Sequence, residues 1–133
     1  MPNRTYANEW ITKACRNLKA AWLLYRNDFY TDVIGMELHY AMEKLFKSIF
    51  AFHNRKILKI HDLVELYESV KDEIGALDED VLLEMNSYFK DERYPNVVYE
   101  LPSREGIKKG LDLATRLFEE VCKKYQLDCK DCR

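Results

Sequence analysis

The sequence predicts an all-α domain, a bundle of about five helices running up and down, and three observations carry that prediction. Only four glycines and three prolines interrupt 133 residues, apolar residues recur at helical spacing along most of the chain, and the connections between those runs are short. Apolar residues make up 47% and charged residues 33% of the sequence, a balance that supports a core inside a well-solvated exterior and argues against disorder. A chain of this length fits one domain, read as residues 1–128 with 129–133 as a C-terminal tail.

The first helix spans residues 6–26, where Trp10, Ala14, Leu18, Ala21 and Tyr25 recur at spacings of four, four, three and four. Asn27 and Asp28 break the pattern. A second, central helix follows, with Tyr30, Ile34, Leu38, Ala41, Leu45, Ile49 and Phe52 on one stripe. Met42, Phe46 and Phe50 widen its apolar surface, so it should contact neighbours on two sides, or neighbours plus a second subunit. The basic segment HNRKILKI leads to a third helix marked by Leu63, Leu66, Tyr67, Val70 and Ile74, which Gly75 is suited to stop. Asp78 is placed to cap a fourth helix carrying Val81, Leu82, Met85 and Phe89, because its carboxylate can accept an otherwise unpaired backbone N–H. That helix should end before Pro95. After the irregular stretch DERYPNVVYELP, Ser103 can cap a last helix with Ile107, Leu111, Ala114, Phe118, Val121 and Tyr125 on its stripe.

The formal net charge of −2 does not describe a nucleic-acid coat or a membrane-surface protein, so any anion site must be local. No apolar run reaches the roughly 18–20 residues that span a bilayer, and the N-terminal MPNRTYANEW lacks the apolar stretch of a signal peptide. A cytoplasmic chain is expected, without membrane association. In that setting Cys15 and Cys122 read as small core hydrophobes, and the CKDC at Cys129 and Cys132 as a frayed, reduced tail. His39 and Glu43 stand four apart, but two ligands do not make a metal site and no third has the spacing. No metal and no cofactor is expected, and no phosphate loop, dinucleotide glycine motif or nucleophile elbow occurs.

Three phrases resemble the HEPN family of small all-helical domains. ELHYAMEKLFKSIF at residues 37–50 resembles that family's small-x-Glu-Lys-x-x-Lys centre, KIHDLVEL at residues 59–66 is similar to its His-Asp-Leu helix start, and ERYP at residues 92–95 resembles its Arg-Tyr-Pro before the last helix. The likeness covers roughly residues 6–126. It implies a HEPN-like bundle that dimerises, with a groove where phosphate-facing residues of both copies meet. It also implies kinship with metal-independent ribonucleases that are often paired with a small nucleotidyltransferase. The ribonuclease motif of such relatives is an arginine and a histidine with four to six residues between them. Here Arg93 is followed at those distances by Val98, Tyr99 and Glu100, and no histidine occurs after His61.

Cleaving RNA without metal requires activating the ribose 2′-hydroxyl and stabilising charge on the phosphate. An arginine meets the second need through its planar fork; an ordinary tyrosine is a poor base at neutral pH. The favoured reading is therefore a nucleotide- or RNA-binding module without full ribonuclease activity. Its ligand-binding candidates are Arg93, Tyr94, Tyr99, Lys44, Glu43, His61 and Asp62. Two alternatives stand beside it. One is an endoribonuclease toxin in which Tyr99 or His61 replaces the missing histidine, so that the catalytic candidates are Arg93, Tyr99 and His61. The other is a structural subunit that docks a nucleotidyltransferase through the apolar surface of helix two. Simpler local readings exist as well. Glu43 with Lys47 has the spacing of a surface pair worth roughly 0.2–0.5 kcal/mol, His61 and Asp62 suit the start of helix three, and His53, Asn54, Arg55, Lys56 and Lys59 form a solvated basic loop able to steer an anion.

Overall fold

The computed structural model describes residues 2–93 and 101–132, with 90–93 described for the backbone only. Among the described residues there are five α-helices and no strand: α1 Arg4–Arg26, α2 Thr31–Phe52, α3 Leu63–Ile74, α4 Glu79–Arg93 and α5 Arg104–Tyr125, followed by a short 3₁₀ helix at Lys130–Cys132. The helical period therefore placed each element to within a few residues.

Local chemistry sets the helix ends. Asn3 accepts from the Tyr6 N–H at 3.0 Å to start α1, Asp62 accepts from Val64 and Glu65 at the start of α3, Asp78 accepts from Asp80 and Val81, and Ser103 accepts from Gly106. Each satisfies N–H groups that the first helical turn leaves unpaired. Gly75 ends α3 at φ 75°, left-handed backbone that favours glycine. α1 and α2 form an antiparallel hairpin, as the 2.8 Å hydrogen bond from Asn3 N–H to the Phe52 carbonyl across its open end requires.

α2 is the centre of the bundle and packs against α1, α3, α4 and α5. Ile34, Leu38, Ala41, Met42, Leu45, Phe46 and Ile49 are fully buried. The breadth of its apolar surface is thus largely used inside the chain, where it serves four helices, while Val33, Tyr40 and Phe52 stay partly exposed. Close approach needs small residues. A Cβ on Gly35 would lie 2.9 Å from Cγ of the Tyr88 ring on α4, and one on Gly110 would lie 2.7 Å from the Leu38 Cδ2. α1 contributes Ala7, Ile11, Ala14, Cys15, Leu18 and Ala21 to the core, so its inward face is turned from the expected stripe. Trp10 and Tyr25 lie at its margin, and Tyr30, assigned to the stripe of α2, is 65% exposed.

The cysteines depart from expectation. Cys15 and Cys122 are not free thiols, and CKDC is not a frayed, reduced pair: Cys15 is joined to Cys132 and Cys122 to Cys129. The chain reverses after α5 at Gln126, in left-handed backbone, and returns along α1, where Asn8 accepts from the Asp128 N–H at 2.8 Å and Arg16 pairs with Asp131 at 3.1 Å. Spacing within CxxC describes only two of the four cysteines. The partners come from two helices that the fold brings together at this end.

Candidate functional site

His39, Glu43 and Lys47 follow one another at i, i+4, i+8 on α2 and so share one face of it. All three are buried, which makes a polar seam in the core. The Glu43 carboxylate is its hub. Oε2 accepts from Lys47 Nζ at 3.1 Å, and Oε1 lies 2.8 Å from His61 Nδ1. The Glu43–Lys47 pair forms as its spacing predicts, but it is not a surface pair: the two side chains are 8% and 7% exposed. Lys47 also lies 5.9 Å from the Trp10 ring centroid, so neighbouring helices cover it.

His61 occupies the loop before α3 with its side chain 52% exposed. It therefore connects the buried carboxylate to solvent. Binding Nδ1 to a carboxylate fixes ring orientation and leaves Nε2 as the nitrogen not engaged by Glu43. The ring also stacks on Phe89 of α4, centroids 4.7 Å apart and planes inclined by 20°. Below, Asn86 of α4 accepts from the Leu63 N–H at 2.8 Å and donates to Asp62 at 3.2 Å. Asp62 is accordingly a helix cap and a tie to α4, with its carboxylate committed to backbone and Asn86. Two side chains of α4 thus hold the loop that presents His61.

His39 lies deeper, fully buried, with its ring 5.0 Å from that of Phe89. Its Nδ1 is 3.9 Å from Glu43 Oε1, too far for a hydrogen bond, and neither ring nitrogen has a partner in good hydrogen-bond geometry among the described residues, although the His61 backbone and the Asn86 side chain act on the ring. Burial lowers its pKa to about 4 and outweighs the attraction of Glu43 that would raise it. His39 is therefore neutral at pH 7. The Tyr88 hydroxyl is buried without a partner in good hydrogen-bond geometry among the described residues, and burial, with the Glu84 carboxylate nearby, pushes its pKa up.

Lys44 points elsewhere. Its Nζ donates to Asn17 Oδ1 at 2.7 Å, Asn17 in turn donates to Glu37 at 2.8 Å, and Nζ lies 5.6 Å from the Tyr40 ring centroid. Burial lowers its pKa against the pull of Glu37 and Glu43. The structure thus joins Glu43 and His61, sets Asp62 beside them as a structural cap, and places Lys44 in a separate chain of contacts toward α1. Arg93 is the last residue of α4, one turn beyond Phe89, and its side chain lies outside the described residues. Tyr94 and Tyr99 lie outside them altogether. The basic loop is partly tied down: Arg55 pairs with Glu73 and donates to the Ser69 carbonyl, and His53 lies 3.1 Å from the Tyr125 hydroxyl.

Lys47, Asn86 and Phe89 were missed as site residues. Lys47 carried a signal in its spacing from Glu43; Asn86 and Phe89 acquire their roles only when α4 packs beside the α3 entry. Among the described residues no group of three or more histidine, cysteine or carboxylate side chains is arranged to hold a metal ion, and no helix is long and apolar enough to cross a membrane.

A five-helix bundle with a buried acid–base seam opening at one half-exposed histidine defines a small α-helical domain with a polar site between its central helix and the α3 entry. The family model of the HEPN domain matches residues 7–125, and the chain belongs to the HEPN family. No curated protein and no solved structure matches it.

Proposed function

We propose that this HEPN domain binds nucleotide or RNA at the mouth of the Glu43–His61 seam, with the phosphate contacted by His61 and by Arg93 at the end of α4. The observation that carries the reading is the half-exposed imidazole held at 2.8 Å by a buried carboxylate. A ring fixed at Nδ1 and stacked on Phe89 offers a prepositioned polar edge to an anion, which reduces the ordering that binding costs. Tyr94 and Tyr99 are the aromatic candidates for stacking on a base, and Lys44 contributes charge at longer range. Family membership supports a homodimer and a nucleotidyltransferase partner in this reading. The breadth of α2 adds little to either, because four helices of the chain already pack against it.

The test is titration of a short RNA and of ATP against the wild type, His61→Ala and Arg93→Ala in magnesium-free buffer with EDTA. Each variant is expected to weaken binding at least tenfold while keeping its far-UV circular dichroism and melting temperature near wild type. Equal affinity for all three proteins would remove His61 and Arg93 from the site.

The same geometry favours a second reading, metal-independent cleavage of RNA, with His61 in place of the histidine that the family motif places after the arginine. A carboxylate-held imidazole can take a proton from a ribose 2′-hydroxyl and return it to the leaving oxygen. Cleavage in EDTA that stops when the scissile nucleotide is 2′-deoxy, and that His61→Ala abolishes, selects this reading. Binding of both RNAs without cleavage selects the first.

A further inference from the structure

The two residues of a CxxC pair are commonly bonded to each other; here each is bonded to a different helix, Cys132 to Cys15 of α1 and Cys129 to Cys122 of α5. Cys129 and Cys132 also stand at the two ends of a single 3₁₀ turn, closed by the 3.0 Å hydrogen bond from the Cys132 N–H to the Cys129 carbonyl. In such a turn side chains three apart eclipse, and a rise of about 2 Å per residue sets their Cα atoms about 6 Å apart, within the span that a disulfide bridges. The bond that CxxC would make is thus geometrically available but unused.

Access is unequal. Cys15 is fully buried in the core, whereas Cys122, Cys129 and Cys132 are part-exposed. Those three border a cavity of about 720 Å³ whose other walls include Leu18, Phe118 and Leu127. Both residues of the Cys122–Cys129 bond border this cavity, whereas the Cys15–Cys132 bond has one end sealed in the core, so an incoming thiol meets the first bond at two part-exposed residues and the second at Cys132 alone.

We propose that the four cysteines form a disulfide relay in which one two-electron reduction, entering at Cys122–Cys129, moves the remaining bond onto Cys129–Cys132 and releases the C-terminal segment from both α1 and α5. Two molecules of a small or protein thiol supply the electrons: the first attacks and forms a mixed disulfide, the second resolves it, and the products are one oxidised thiol dimer and free Cys122 and Cys129. The Cys129 thiolate then attacks Sγ of Cys132. The Cys129–Cys132 bond forms, the Cys15–Cys132 bond breaks, and Cys15 leaves as a thiolate that takes up a proton, with no further electrons consumed. Cys15 remains in the core as a small apolar thiol. The released segment then keeps an exposed Arg16–Asp131 ion pair, the Asn8–Asp128 hydrogen bond and the partial burial of Leu127, Cys129 and Cys132 against the core, of which the exposed ion pair is worth little. Its departure opens the cavity over Leu18 and Phe118. In a reducing compartment this is how a structural pair of disulfides acts as a sensor.

The test uses the intact chain, titrated with reduced and oxidised glutathione or dithiothreitol, quenched in acid, alkylated and mapped by mass spectrometry. The first species with two free thiols is expected to carry label on Cys15 and Cys122, with Cys129 and Cys132 joined in one peptide. Label on Cys122 and Cys129 with Cys15–Cys132 intact would overturn the relay, and so would four thiols appearing together. As a second probe, Cys129→Ser removes the attacking sulfur, and labelling of Cys15 by the same reductant should slow at least tenfold. Labelling at the wild-type rate sinks the proposal, as does purification of the wild type with four reduced thiols around one equivalent of zinc.

Discussion

Glu43 holds the site together at the residue scale, because one carboxylate answers both a buried ammonium and the half-exposed His61. Removing one partner of a buried ion pair leaves an uncompensated charge, which costs about 3–5 kcal/mol, while replacing both with apolar residues of similar volume is often neutral. Glu43→Leu and Lys47→Met should each lower the unfolding free energy by that order in urea titration, and the double variant should recover most of the loss. Additive losses in this cycle would mean that the two groups do not act as a pair. His39 supplies the pH dependence. Its folded pKa of about 4 lies below the ordinary 6.5, so between those values the unfolded chain binds the proton that the folded chain refuses. Stability therefore rises with pH across that window and is lost as pH falls from 6.5 toward 4. At roughly 1.4 kcal/mol per pH unit the ceiling is about 3 kcal/mol. His39→Leu should flatten this limb of the Tm–pH curve relative to wild type; parallel curves would show that His39 does not set it.

At the scale of elements, the site depends on how closely α4 lies against α2. Gly35 lets the Tyr88 ring come within a distance that a methyl group would occupy, and Phe89, the next residue, supports His61. Gly35→Ala gains about 1 kcal/mol of helix propensity but overpacks a buried ring, a change that costs about 1–3 kcal/mol. Net destabilisation near 1 kcal/mol is expected by urea titration, together with a shift of the His61 ring resonances as α4 is pushed outward. A variant as stable as wild type with unmoved resonances would show that the contact yields without effect. What the sequence made legible follows the same division. Caps at Asp62, Asp78 and Ser103 and the stop at Gly75 could be read because each is decided within a few residues. The depth of Glu43 and Lys47 could not, since i,i+4 spacing is the same in a core as on a surface. Nor could the Glu43–His61 contact, whose partners are 18 residues apart and meet only through packing.

Across the whole molecule the two disulfides close loops of very different length, and that difference is measurable. Cys15–Cys132 joins residues 117 apart, nearly the full chain, whereas Cys122–Cys129 joins residues seven apart. A cross-link stabilises chiefly by removing conformations from the unfolded chain, and the chain-entropy relation gives about 5 kcal/mol for the long loop and about 2.4 kcal/mol for the short one. Neither bond is legible in the spacing of the cysteines; the long one exists because α1 and the returning C-terminal segment lie side by side. Comparing Cys15→Ala/Cys132→Ala with Cys122→Ala/Cys129→Ala isolates the loop effect, since each double variant removes two sulfurs and leaves no new unpaired thiol. The first should lose about 2.5 kcal/mol more stability than the second by urea denaturation under non-reducing conditions. Cys15 adds to that margin, because its truncation also opens space in the core between α1 and the C-terminal segment. Equal losses would mean that the unfolded chain already keeps its ends together, so that the long bond restrains little that the helical hairpin of α1 and α2 has not already restrained.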